Sequence, residues 1–352
     1  MRGLRRAKPL RYVFLLCTLV QMLSSNARAF QDPSARQNAL LFNYMDSVSE
    51  EIGLERFESV SFEYVFALAR QLGQIERFNL TSEAFFEHVH EAVSVKNTFE
   101  FAGSPMSDRT FTHYVLPLRI RYESTARGSW RSFFKERLGS SLEGLGTDQA
   151  IETILTHLTD RVTLDAASTY DLGYRGDLDP IATYLGQYGD EVDLSILACA
   201  ALRSFGVPAR LAYTPHVQET QGGKVWLEYM NSDADWQCWV PQFAQSASPQ
   251  THHAQIVELL ADRTGIIFAH PADPIEITET YCPTREVNFK PTDQEKVREQ
   301  YNVAFFSGGF LRPIRGMELT SVRTENPKRQ IASEHFWTFV VQNDVQVLGQ
   351  RH

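Results

Sequence analysis

The stretch 186–210, GQYGDEVDLSILACAALRSFGVPAR, decides how the rest of the chain is read. Its middle carries Val192, Leu194, Ile196, Leu197, Ala198, Ala200, Ala201 and Leu202, apolar almost all round a helical wheel. A helix of that kind is buried in a core rather than laid on a surface. Asp190 is a suitable N-cap, and Gly206 stands where a left-handed residue ends a helix. The helix therefore starts in a cluster of acids, Asp190, Glu191 and Asp193, and runs into the interior.

Downstream, period-two runs at Arg210 to Tyr213, Lys224 to Met230 and Trp236 to Val240 read as antiparallel strands. Upstream, Leu40, Leu41, Tyr44, Met45 and Val48, and then Phe85, Val89 and Val93 behind Ser82 as cap, recur at helical spacing within 35–97. Thr147 to Val162 is an amphipathic helix with Ile151, Ile154, Leu155 and Leu158 on one stripe and Thr147 as cap. Residues 165–188 read as loop, and the tail beyond 265 alternates like strands. The expected fold class is α+β: a buried helix on an antiparallel sheet, helical before it and β-rich after it.

The 352 residues are 43% hydrophobic and 22% charged, the composition of an ordinary globular protein. The first thirty join a basic start to an apolar run from Tyr12 to about Leu23 and then to Ala27, Arg28 and Ala29, the layout of a cleavable secretory signal. That run is too short for a stable membrane anchor. Cleavage before Phe30 removes six basic residues from a chain of net charge -9, leaving about -15, which argues against a nucleic-acid partner. Cys199, Cys238 and Cys282 remain, so one internal disulfide at most can form. The expected layout is a signal peptide over 1–29, a helical region over 30–140, a core over 141–264 and a β-rich region over 265–352, exported to the periplasm or beyond. Asn79-Leu80-Thr81 matches a glycosylation acceptor, informative only in a eukaryotic chain.

Three words in order, ALRSFGVPARLAY, GGKVWLEY and Trp236 to Pro241, resemble the core of the transglutaminase-like superfamily, a papain-like fold. Leu202, Arg203, Gly206, Val207, Pro208, Ala209 and Arg210 match the first word of that family, Gly223, Trp226 and Glu228 the second, and Trp236 and Pro241 the third. The block YVLPLRIRYE…SWRSFF is similar to the segment that precedes this domain in exported bacterial members. The resemblance implies a Cys at the head of the buried helix, a His opening the next strand and an Asp before the final Pro. In such a triad the helix end and the His lower the thiol's pKa, and the Asp orients the His.

Aligned on those words, the three positions hold Glu191, Lys224 and Val240. None of these can perform thiol acyl transfer, and losing the nucleophile of a triad alone removes about a millionfold of turnover. The implied protein is a pseudoenzyme with no catalytic residue, no cofactor and no metal, binding a peptide, protein or glycan in the former cleft or serving as a scaffold in a larger surface assembly. Asp190, Asp193, Trp226, Trp236 and Trp239 are the candidate cleft residues. The other reading is a hydrolase or acyltransferase whose chemistry moved to Asp190, Glu191 or Asp193. The acids also suit a helix N-terminus without any chemistry, and an ion pair between Glu191 and Lys224 is expected, since the implied Cys and His face each other. Cys199 and Cys238 read as inert core thiols. His216, His252 and His253 sit on loop-like segments, and adjacent residues such as the last two do not converge on a metal if the chain there is extended.

Overall fold

The computed structural model describes residues 33–57, 59–121, 123, 129–164, 177–214, 224–241, 249–260, 267–269, 275–282, 284–288, 300–307, 310–320, 328–332, 337–342 and 347–351. Residues 1–32 with Cys17, the first half of the segment 165–188, His216 and Gly223 lie outside these residues. The chain divides into two compact units, Met1–Phe86 and Glu87–His352.

In the first unit, α1 (Pro33–Ile52), α2 (Leu54–Phe57), α3 (Phe62–Gln71) and α4 (Gln74–Asn79) follow one another, and α5 (Ser82–Ser94) crosses into the second. Of the stripes read from the sequence, Leu41, Met45, Val48, Phe85 and Val89 are buried, Tyr44 and Val93 are half-buried, and Leu40 is exposed. The hydroxyl of Thr81, not Ser82, accepts from the Ala84 amide at 3.2 Å and caps α5. Ser82 is already the first helical residue.

The second unit continues with β1 (Glu100–Phe101), β2 (Ser104–Pro105), α6 (Asp108–Tyr114), α7 (Trp130–Leu142) and α8 (Thr147–Arg161). Gly146 rather than Thr147 is the N-cap of α8, its amide donating to Gln149 Oε1 at 3.4 Å. After β3 (Thr163–Leu164), residues read as loop form a helix, α9 (Pro180–Gly186), because Asp179 caps it through the Ile181 and Ala182 amides and Pro180 pre-sets its first turn. Then come β4 (Tyr188–Gly189), paired parallel to β3, and α10 (Glu191–Ser204), which packs against β5, β6, α7, α8 and α9. Every α10 residue from Asp193 to Ser204 is buried.

Strands β5 (Ala209–Thr214), β6 (Lys224–Met230) and β7 (Trp236–Trp239) are antiparallel, as the alternation predicts. With β8 (Phe268–Ala269) and β9 (Ile275–Glu276) they form a five-stranded sheet of order β7-β6-β5-β8-β9. Helix α11 (Pro249–Leu260) and the single turn α12 (Thr278–Tyr281) complete the core. Ala212, Trp226, Cys238 and Val240 cluster there with Ile256, Leu260 and Tyr281. His252 and His253 are on α11, not on a loop. Further on, β10 (Thr284–Asn288) pairs with β13 (Lys328–Ala332), and β11 (Gln300–Ser307), β12 (Phe310–Thr320), β14 (Trp337–Gln342) and β15 (Val347–Arg351) form an antiparallel sheet of order β12-β11-β14-β15.

Residues 115–121 run on from α6 without a ladder of their own, so their backbone groups must be met by side chains. Arg131, fully buried, donates to the carbonyl of Val115 and, at 2.5 Å, to that of Arg203. His88 Nε2 lies 2.9 Å from Leu116 O, Arg203 Nη1 donates to Pro117 O at 3.4 Å, and Trp130 Nε1 to Leu118 O at 3.1 Å. Glu123 accepts from the amides of Ile120 and Arg121 at 2.6 and 2.7 Å. Arg203 also donates twice to Ala209 O, at 2.9 and 2.7 Å, tying the end of α10 to β5.

Gly206 turns the chain from α10 into β5 with φ +87°, and a Cβ there would sit 2.3 Å from Val95 O. Gly206→Ala is expected to destabilise the fold by about 2 kcal/mol or more, from the strained backbone and the clash together, read as a lower urea midpoint. Burial, then the neighbouring Arg131 and Arg203 guanidinium groups, hold the His88 imidazole well below its usual value. The unfolded chain therefore takes up a proton that the folded chain refuses. Stability falls by about 1.4 kcal/mol per unit as pH drops below about 6.5. Urea titrations between pH 7 and 5 should show that slope, and His88→Gln should flatten it.

Candidate functional site

The head of α10 is assembled from its own acids. Asp190 Oδ1 accepts from the amides of Val192 at 2.8 Å and Asp193 at 2.9 Å. Asp193 answers by accepting from the Asp190 amide at 3.3 Å, and its other oxygen accepts from Leu178 N at 2.9 Å. These two carboxylates thus satisfy first-turn donors that the helix cannot pair itself. Asp193 is 1% exposed, so it belongs to the frame of the site rather than to its surface.

Glu191 is the first residue of α10 and Lys224 the first of β6. The Lys224 ammonium donates to Glu191 Oε1 at 3.1 Å and to Oε2 at 3.2 Å, a forked pair with both side chains about one-fifth to one-quarter exposed. The expected ion pair is present. The carboxylate is held from one side by the helix N-terminus and from the other by the ammonium. Val240, 4% exposed, is a core residue whose amide donates to His252 Nδ1 at 3.3 Å.

The tryptophans fall in different places. Trp226 is fully buried and its Nε1 donates to Tyr281 Oη at 3.0 Å, while Tyr281 donates to Glu228 Oε1 at 2.5 Å. Arg210 Nε pairs with the other Glu228 oxygen at 2.6 Å, and its guanidinium lies 3.9 Å from the centroid of Trp236. Trp226 and Trp236 therefore pack a buried ionic network. Trp239 instead lines a cavity of about 530 Å3 with Tyr229, Gln237 and residues of α8, which Glu191 and Lys224 do not line. Sequence reasoning missed Tyr229 and Gln237, although period two places both on Trp239's side of the sheet.

The three described thiols are buried, with Cys199 0%, Cys238 2% and Cys282 8% exposed, and none is in a disulfide. Burial pushes the Cys199 thiol up to about 11 and the Cys238 thiol up to about 12. A nucleophilic thiol needs the opposite shift. Among the described residues, no group of three or more His, Cys, Asp or Glu is placed to hold a metal ion. No described helix is long and apolar enough to cross a membrane.

The family model of the transglutaminase-like superfamily matches residues 138–241, which run from within α7 through α8, α10, β5 and β6 to the end of β7. This segment is similar to the core of that superfamily. Solved structures similar to the chain include a "putative cysteine protease" from Cytophaga hutchinsonii, 14% identical over 32% of this chain and 36% of that one, with a TM-score of 0.25. A "putative protease" from Parabacteroides distasonis ATCC 8503 is 12% identical over 48% of this chain and 35% of that one, with a TM-score of 0.30. The alignments thus span about a third of each of those chains. No curated protein matches the chain.

Two substitutions separate the parts of this site. Asp190→Ala removes a cap that serves two amides and is expected to destabilise the transglutaminase-like core by about 1 kcal/mol. Lys224→Ala removes a partly exposed pair and should cost under about 1 kcal/mol, less again in high salt. Chemical denaturation of both variants at low and high ionic strength measures the difference.

Proposed function

We propose that this chain is an exported transglutaminase-like protein without acyl-transfer activity, working as a binding or scaffold module. The observation that carries the reading is the forked Glu191–Lys224 pair at the head of the buried helix, where the family resemblance puts a thiol and an imidazole. Val240 at the third position offers no carboxylate to orient a base. The buried, proton-retaining thiols of Cys199 and Cys238 support the same reading, because neither supplies a substitute nucleophile. Asp190 and Asp193 spend their oxygens on backbone amides, which weighs against chemistry relocated to them. The layout that goes with this reading is a leader over 1–29 removed on export, a helical region to 140, the core to 264 and a β-rich extension.

The test pairs a null result with a gain. Wild-type protein should release no product from peptide amide, ester or isopeptide substrates, and native protein should resist iodoacetamide until urea exposes its thiols. The triple substitution Glu191→Cys, Lys224→His and Val240→Asp should create a thiol that alkylates rapidly at neutral pH, its pKa drawn below the ordinary value of about 8.5. Turnover by the wild type that is lost in Glu191→Gln would overturn the proposal.

A further inference from the structure

The cavity of about 530 Å3 lies between α8, the β6–β7 ladder and the start of α11, and its volume is that of a small-molecule site. Its floor is Tyr229 and Trp239, 6% and 7% exposed. The pairing of Leu227 with Trp239 and of Tyr229 with Gln237 sets these side chains on one face of the sheet. Buried Tyr and Trp ordinarily hand their O–H and N–H to a partner. Among the described residues neither the Tyr229 hydroxyl nor the Trp239 N–H has a hydrogen-bond partner, and both residues line the cavity.

The rim adds polar groups with capacity to spare. Asn231 spends its oxygen on the Asp235 amide at 2.8 Å, which leaves its NH2 group for the cavity. Gln237 and Glu152 also line it, and neither side chain makes a hydrogen bond or ion pair among the described residues. Asp148 is already engaged by the Ser232 amide at 2.9 Å and hydroxyl at 2.6 Å, yet it adds a second negative charge. Among the described residues no Lys or Arg lines the cavity, so an anionic ligand would meet the carboxylates of Asp148 and Glu152 there.

An occupant that fits has an apolar face for the aromatic floor, acceptors for two aromatic donors, and groups that both give and take hydrogen bonds at a rim of amides and a carboxylate. A pyranose ring has all three. We propose that this cavity binds a short oligosaccharide that carries no acidic group. The proposal deepens the binding reading by naming a ligand class, but its geometry does not depend on the Glu191–Lys224 pair.

The experiment uses the full chain and titrates chitobiose, cellobiose, maltose and lactose separately, with tri-alanine as the peptide probe. Tryptophan fluorescence and saturation-transfer NMR report binding. At least one disaccharide should bind saturably, Trp239→Ala should abolish that binding, and Tyr229→Phe, which deletes one oxygen and no packing, should weaken it about tenfold. Binding of none of the four disaccharides would overturn the proposal. So would saturable binding that Tyr229→Phe leaves unchanged, or binding of tri-alanine in place of the sugars. Turnover of an amide substrate would overturn the inactive reading without touching these titrations, and failed sugar binding would leave that reading standing.

Discussion

Seven residues without secondary structure, 115–121, hold the interior of the second unit together by having backbone groups that others must satisfy. Two buried guanidinium groups, a buried imidazole, an indole and a buried carboxylate converge on them. A backbone group buried without a partner loses a few kcal/mol, so every one of these partners, four donors and the accepting carboxylate, is under strong constraint. Arg131 bridges that segment to the end of α10, and Arg203 carries the link on to Ala209 at the start of β5. The position of α10, and with it the position of Glu191 at its head, depends on this network.

Much of the fold can be read from periodicity because its main elements have unambiguous surroundings. Helix α10 is buried on all sides, α8 on one stripe, and β5 to β7 alternate or are enclosed, each of which leaves a distinct pattern. Reading fails where local chemistry outweighs pattern. Residues 180–186 look like loop by their Gly, Asp and Tyr neighbours, yet Asp179 and Pro180 start a helix there in two steps. His252 and His253 read as loop because α11 is short on apolar residues early and gains them only at Ile256, Val257, Leu259 and Leu260.

The candidate site is legible in part. Asp190 as cap is a local signal, read from its place before a buried helix, whereas the pairing of Glu191 with Lys224 across 33 residues follows from the resemblance, which makes those two positions face each other. The LPLR…E…WR block is visible as a word but not as a device: only the folded chain shows that Trp130, Arg131 and Glu123 face the backbone of 115–121. The cavity beside α8 is invisible in sequence, because its floor joins Tyr229 and Trp239 from two strands to Glu152 from a helix far earlier in the chain. Nothing in a window of sequence marks such a meeting.

The reach of the arginine links also says something about biogenesis. Arg131 waits for a carbonyl 72 residues further along, and Arg203 returns to Pro117 across 86. A chain emerging from the ribosome in order has to hold Arg131, His88 and the carbonyls of 115–118 open until Arg203 and Ala209 have been made. Until then Arg131 and the carbonyls of 115–118 lack some of their partners, and burying them in that state costs free energy. The interior of the second unit is thus held by contacts far apart in sequence, which form slowly by their topology, and the turn at Gly206 delivers the last of their partners.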